Sequence, residues 1–215
     1  MTTPLLSAHG LCHGWPGHTL FDQLSLTLPP GLTLLLGGDG SGKTTLLRLL
    51  SGQQTPQAGQ VTLAATLCPD SHATHALQHT VFWPHPDDPA LNQHHNTPAR
   101  DALHAQLAAW PQARLQDVPA LCEAFSLTPH LDKPMYMLST GSRRKVWLAA
   151  ALCAHAPVTL LETPLAALDA PSSRTVVDAV MAQARPDSSP ARAWLWADYE
   201  APAGLMPCQT LQLPA

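Results

Sequence analysis

The stretch GGDGSGKTT, Gly37 to Thr45, decides the reading of this chain. It fits the phosphate-loop pattern G-x-x-x-x-G-K-[ST] at Gly37, Gly42, Lys43 and Thr44. Leu32, Leu34, Leu35 and Leu36 before it read as a buried strand. Leu46, Leu47, Leu49 and Leu50 after it read as a helix. That strand–loop–helix context is what the pattern requires. Glycines let the backbone turn its N–H groups inward around a polyphosphate, where side chains would obstruct them. The new helix adds the positive end of its dipole. Lys43 contributes a point charge, and the Thr44 hydroxyl suits Mg²⁺. The expectation is a nucleoside triphosphate site with magnesium.

Composition narrows what surrounds that site. At 215 residues the chain can bury a sizeable core and reads most simply as one domain. Net charge is −4 with only 11 Lys plus Arg, which leaves no electrostatic footprint for nucleic acid. Charged residues are 12%, about half the usual share, as expected of a surface partly covered by a partner. The longest apolar run, Val146 to Ala154, falls well short of the roughly 18 residues a membrane span needs. The start, MTTPLLSAHG, lacks the basic and apolar regions of a secretory signal. Cys12, Cys68, Cys122, Cys153 and Cys208 are odd in number and form no CxxC, so they read as reduced cytosolic thiols.

Along the chain, Leu24, Leu26 and Leu28 have strand period, and Pro29-Pro30-Gly31 turns into the strand before the phosphate loop. Residues 60–67 read as another strand, and residues 68–97 as mostly loop. Thr97 is expected to cap a helix with Pro98 at its first position; Leu103, Leu107 and Trp110 share its face. Further helices are expected over 118–125, from 142 to about 156, and over 172–184. Residues 158–161, 193–197 and 209–213 supply strands. Alternating strands and helices indicate a layered α/β domain with a parallel-rich sheet. A small antiparallel β part precedes it, and helices over approximately 90–150 form an inserted subdomain.

With these segments in order, the chain resembles the ATP-binding subunit of ABC transporters, an α/β family with a P-loop NTPase core. After the phosphate loop come Leu138-Ser139-Thr140-Gly141-Ser142, then the strand ending at Glu162, then Ala167-Leu168-Asp169. The first of these is similar to the family signature LSGGQ, with Ser139 and Gly141 kept and Lys145 following where the family has a basic residue. The resemblance implies ATP contacts from Trp15 (a stacking face for adenine) and from Gly37, Gly38, Asp39, Gly40, Ser41, Gly42, Lys43, Thr44 and Thr45. It implies contacts from Ser139 and Gly141 to the nucleotide of a partner subunit, and Mg²⁺ held near Thr44 and Glu162. A head-to-tail homodimer or heterodimer is implied, with an integral membrane permease as the further partner. The implied location is cytoplasmic, peripheral on the inner face of the membrane. Within the family, TLFDQLSLTLPPG and GDGSGKTTLLRLLSGQQTPQAGQV are most similar to the haem-exporter subunits of cytochrome c maturation.

The hydrolytic end departs from the family pattern. The strand reads Leu160-Leu161-Glu162-Thr163-Pro164 where the family has Asp-Glu-Pro, and Asp169 fixes the register. Glu162 therefore stands where the magnesium-holding aspartate would be, and Thr163 where a glutamate orients the attacking water. A neutral, short hydroxyl cannot replace that carboxylate. Glu162 cannot fill both roles either, because adjacent strand residues point to opposite faces. Asp198 falls near the position of a histidine that contacts the γ-phosphate, and an anion repels phosphate there unless it faces away. The nearest residues to the glutamine expected between subdomains are His85 and Asp87. ATP binding with doubtful hydrolysis is the expectation.

Two further features remain. His72, His75, His79, His85, His94, His95 and His104 crowd one region, and His75 and His79 have helical spacing, yet no cysteine or carboxylate completes a metal set. A solvated, partner-facing loop accounts for them better. Phe82, Trp83, Pro84 and Leu91 are candidate apolar anchors for the membrane subunit, or core of the helical part.

Overall fold

The computed structural model of the chain describes residues 3–68, 74–84 and 94–213. His72, His85, Asp87 and Leu91 lie outside the described residues. The chain divides into two compact units.

The first unit comprises Met1–Trp83, Pro157–Glu162 and Gln183–Ala215. In chain order it contains β1 (Leu6–Trp15), β2 (His18–Leu28), β3 (Gly31–Leu36), α1 (Lys43–Leu50), β4 (Ala58–Leu63), α2 (Thr74–Thr80), β5 (Val81–Phe82), β6 (Val158–Glu162), β7 (Ala193–Asp198) and β8 (Gln209–Gln212). β1, β2 and β4 make an antiparallel sheet in the order β2-β1-β4. The other five make a parallel sheet in the order β5-β6-β7-β3-β8. Both the parallel sheet and the antiparallel N-terminal part agree with the fold read from the sequence.

α1 joins the two sheets. Leu46, Leu47, Leu49 and Leu50 have no exposed surface, and Lys43 and Thr45 are also buried. An amphipathic helix buries its apolar face in a core. One hydrophobic cluster accordingly contains Leu6, Leu11 and Leu28 of the antiparallel sheet, Leu35, Leu160 and Leu195 of the parallel sheet, and these α1 leucines. Along β7, Ala193, Leu195 and Ala197 face this cluster, while Trp194 and Trp196 alternate onto the other face and are fully buried there.

Two segments differ from expectation. β4 stops at Leu63, where the Ala64 amide donates to Leu5 O and a turn closed by Leu67 N on Ala64 O takes the chain off the sheet. The stretch read as loop holds α2 and β5; Val81 pairs with Val158 in the parallel sheet. A seven-residue helix and a two-residue strand are too short to impose a period on the sequence. Trp83 joins the hydrophobic cluster and Phe82 is equally buried, so neither is a surface anchor.

The second unit comprises Pro84–Ala156 and Thr163–Ala182. It holds α3 (Ala99–Ala108), α4 (Val118–Ala124), α5 (Thr140–Ala154) and most of α6 (Ala170–Gln183). Pro98, not Thr97, takes the cap position of α3, because its ψ of 142° is extended and it bridges Pro134. Leu103, Leu107 and Trp110 are buried together as their spacing predicts. α5 packs against α3 and α4 and is buried from Val146 to Ala154. None of the five cysteines forms a disulfide. Burial raises the Cys122 thiol and pushes Cys153 up to about 12.

Candidate functional site

The parallel register aligns the ends of three strands: Leu36 lies beside Asp198, and Glu162 beside Ala197. The phosphate loop leaves β3 at that edge, outside the carboxyl ends of parallel strands, where ligands of open α/β sheets bind. A cleft of about 300 Å³ opens there. Gly38, Asp39, Gly40, Gly42, Lys43, Thr44 and Thr45 line it, with Trp15, His18 and Leu20 from the β1–β2 hairpin, Glu162 from β6, and Tyr199.

Gly42 begins α1 with φ 89°, a left-handed conformation that a side chain would strain. A Cβ on it would also meet Phe21 Cζ at 2.8 Å. The first in-helix bond runs from Leu46 N to Gly42 O, so the preceding amides of α1 have no intrahelical acceptor. A Cβ at Gly38 or Gly40 would meet nothing within 4 Å, which leaves the loop open on its ligand side. Ser41 turns its hydroxyl back to Gly38 O at 2.9 Å, and so braces the loop instead of lining the cleft. Lys43 Nζ donates to Gly37 O at 2.6 Å and to Gly38 O at 2.8 Å.

Thr44 Oγ1 donates to Glu162 Oε1. A hydroxyl oxygen and a carboxylate oxygen therefore converge beside the amides of the loop, a hard-oxygen donor set that fits Mg²⁺. At the other end Trp15 is 55% exposed, so it is a surface ring of the cleft and not a core residue. It stacks on His18 with centroids 6.2 Å apart and an interplanar angle of 19°.

Asp198 does not line the cleft. On a strand, residues two apart share a face, and its carboxylate accepts from Trp196 Nε1 at 3.1 Å on the side opposite α1. Its Oδ1 accepts from the Tyr199 amide at 2.9 Å. The residue that enters the cleft is Tyr199, which the sequence reading missed. Its hydroxyl donates to Asp39 Oδ1 at 2.8 Å, and its ring centroid is 4.1 Å from Lys43 Nζ. The Asp39 carboxylate raises the Tyr199 phenol above its ordinary value near 10. Parity along β7 was the available signal: if residue 198 faces away, residue 199 faces in.

In the second unit, Ser139 caps α5 and accepts from Ser142 N at 3.1 Å. A Cβ on Gly141 would collide with the carbonyl of Ala167, so the glycine is required by packing within the unit. Thr163 has φ 39°, costly for a β-branched residue, and its carbonyl accepts from Arg144 Nη1 at 2.5 Å. Lys145 Nζ lies 2.5 Å from Asp169 Oδ2, and Asp169 Oδ1 caps α6 by accepting from Ser172 N at 2.8 Å.

Those two partners hold the Asp169 carboxyl well below the usual carboxylate range, the Lys145 hydrogen bond first. A depressed carboxylate stabilises the fold above its unfolded value near 4, and that contribution fades as pH falls further toward the folded value. Asp169→Asn is accordingly expected to lower stability at pH 7. Its gap to wild type in chemical denaturation should shrink steadily below about pH 4.

His75 and His79 lie side by side on α2 with Nε2 atoms 3.2 Å apart and ring centroids 4.3 Å apart, tilted at 59°. Among the described residues no group of three His, Cys, Asp or Glu side chains could hold a metal.

The profile described as "ABC transporter" matches residues 21–166, more than half the chain. The chain belongs to the ABC transporter ATP-binding family. Among curated relatives it is similar to the cytochrome c biogenesis ATP-binding export protein CcmA of Hyphomonas neptunium, 33% identical over 84% of this chain and 83% of that protein. It is also similar to the nickel import ATP-binding protein NikO of Rhodobacter capsulatus, 34% identical over 78% of this chain and 68% of that one. Among solved structures, a putative ABC transporter ATP-binding protein from Pyrococcus furiosus shares the fold with TM-score 0.73, at 19% identity over 97% of this chain and 96% of the other. An ATP-binding subunit of an ABC transporter does so with TM-score 0.74, at 18% identity over 90% and 78%. As an ABC transporter ATP-binding subunit the chain carries its family's phosphate loop. Among the described residues no helix is long and apolar enough to cross a membrane.

Proposed function

We propose that this chain binds Mg-ATP in the cleft at the end of β3 and works as the nucleotide-binding subunit of a membrane exporter serving cytochrome c maturation. The carrying observation is the convergence of Lys43, Thr44 and Glu162 on one open glycine loop, with Trp15 at the far end. Lys43 and the α1 amides would take the β- and γ-phosphates, Thr44 and Glu162 the magnesium, and Trp15 the adenine. Ser139 and the amides starting α5 would meet the nucleotide of a second subunit, in a head-to-tail dimer docked on an integral membrane permease. Export rather than import rests on coverage: relatives named for both match at nearly equal identity. CcmA is matched over 83% of its length, NikO over 68% and the iron importer FbpC of Pectobacterium atrosepticum over 48%.

Thr163 favours a second reading. A subunit without the water-orienting carboxylate can bind ATP while a paired, intact ATPase performs turnover, with Ser139 and Gly141 completing the partner's site. Either way hydrolysis at this chain's own cleft is weak.

Calorimetric titration with Mg-ATP tests the reading directly: saturable binding is expected, and its absence from folded protein overturns it. Trp15→Ala should weaken ATP about 2- to 10-fold, the share an aromatic stack contributes. It should leave binding of inorganic tripolyphosphate, which has no base, unchanged.

A further inference from the structure

We propose that the Tyr199 side chain is a displaceable occupant of the phosphate site and sets the affinity of the cleft for polyphosphate. The inference rests on the reading that this cleft binds ATP, and adds what competes for it.

The argument begins with the donors of Lys43. An ammonium has three N–H bonds and no acceptor. Two are committed, to Gly37 O and Gly38 O, and the aromatic face of Tyr199 covers the ammonium at 4.1 Å. Such a contact is attractive because the ring face is negative. A phosphate oxygen seeking Lys43 therefore meets a donor set already in use. One contact must yield, and the two carbonyls belong to the loop that forms the site.

Tyr199 is the contact built to yield. It is 55% exposed and follows the last residue of β7, where the chain runs without regular structure until β8. Its hydroxyl is tied to Asp39, the only acidic side chain of the loop. The tie holds the ring over Lys43 and draws an anionic carboxylate into the mouth of an anion site. Swinging Tyr199 out frees the third face of the ammonium and releases Asp39 to turn toward solvent. Binding then draws on the fraction of molecules with the ring displaced, and the apparent dissociation constant exceeds the intrinsic one by the inverse of that fraction. Asp198 contributes from behind by accepting the Tyr199 amide, which fixes where the ring starts. Tyr199 is thus an affinity-determining residue.

The test is calorimetry of Tyr199→Ala and Tyr199→Phe against wild type, with Mg-ATP, inorganic tripolyphosphate and adenosine as separate titrants. Removal of the ring should tighten ATP and tripolyphosphate by about tenfold, from one cation–π contact and one hydrogen bond released together. Tyr199→Phe keeps the ring and should tighten by about two- to fivefold. Adenosine, which has no phosphate, should bind all three proteins alike. Weaker or unchanged tripolyphosphate binding in Tyr199→Ala overturns the proposal, because the phenol would then be a ligand or a bystander. Failure of the ATP reading has a different signature: neither wild type nor Tyr199→Ala binds any polyphosphate, although both unfold cooperatively. Binding in Tyr199→Ala alone supports displacement by the ring and overturns the reading that the wild-type chain itself binds ATP.

Discussion

Lys43→Ala is expected to weaken Mg-ATP binding by about 10- to 150-fold, the range for loss of one charge-assisted hydrogen bond to a buried anion. Lys43 is buried, with 7% of its surface exposed, so few waters can take the place of its ammonium at the phosphate. Isothermal titration of both proteins reads the effect. Circular dichroism checks the fold, since the substitution also removes the donor that Gly37 O and Gly38 O share. Gly38 lines the cleft and its carbonyl can take water, whereas Gly37 is buried, so part of the loss should also fall on stability. Lys43→Arg should not restore affinity. A planar guanidinium is wider than an ammonium and cannot bridge two adjacent carbonyls while presenting a donor to phosphate. An affinity unchanged in Lys43→Ala would mean that the cleft holds no polyphosphate.

How much of this was legible beforehand follows from which forces act locally. The strand over 31–36, the loop and α1 were readable because glycine, lysine and a run of leucines each permit little else. Trp15, Thr44 and Glu162 were singled out from the family pattern, and the structure puts those residues on one cleft. β5 was not readable. Val81 and Phe82 are a strand only because Val158 and Thr159, far along the chain, offer hydrogen bonds to them. Tyr199 was missed for a related reason. The residue identity at 198 drew attention to charge, whereas the outcome was decided by facing: Trp196 offers an indole N–H on the far side of β7 and takes the carboxylate. Gly141 was read as a nucleotide contact alone. The carbonyl of Ala167, itself at φ 61°, supplies a second and purely structural reason for glycine there.

Thr163→Glu is expected to raise ATP turnover by about 10²- to 10⁴-fold, the range a positioned general base contributes. The register behind it rests on Glu162, whose carboxylate takes the Thr44 hydroxyl and in the proposed site would hold the magnesium. On the proposed reading Thr163, next in sequence, stands where the family has the residue that directs water at the γ-phosphate, and a threonine hydroxyl supplies neither the charge nor the reach. The backbone should accept the change. At φ 39° a side chain unbranched at Cβ is less strained than threonine, and the carbonyl that Arg144 holds is unaffected by substitution. Phosphate release by wild type, Thr163→Glu and Thr163→Glu with Lys43→Ala reads the outcome, with ATP affinity measured on each. Turnover gained by the single variant and lost in the double variant places the deficit at residue 163 and shows that this chain alone assembles a working site. Fast wild-type turnover abolished by Lys43→Ala would reject the weak-hydrolysis reading. If ATP binds and the glutamate adds nothing, the missing element is the γ-phosphate histidine of the family pattern near Asp198, where this chain offers a carboxylate turned toward Trp196 and a phenol turned toward the loop. A heterodimer would then be the arrangement to seek, with the competent site on the partner and Ser139 of this chain closing it.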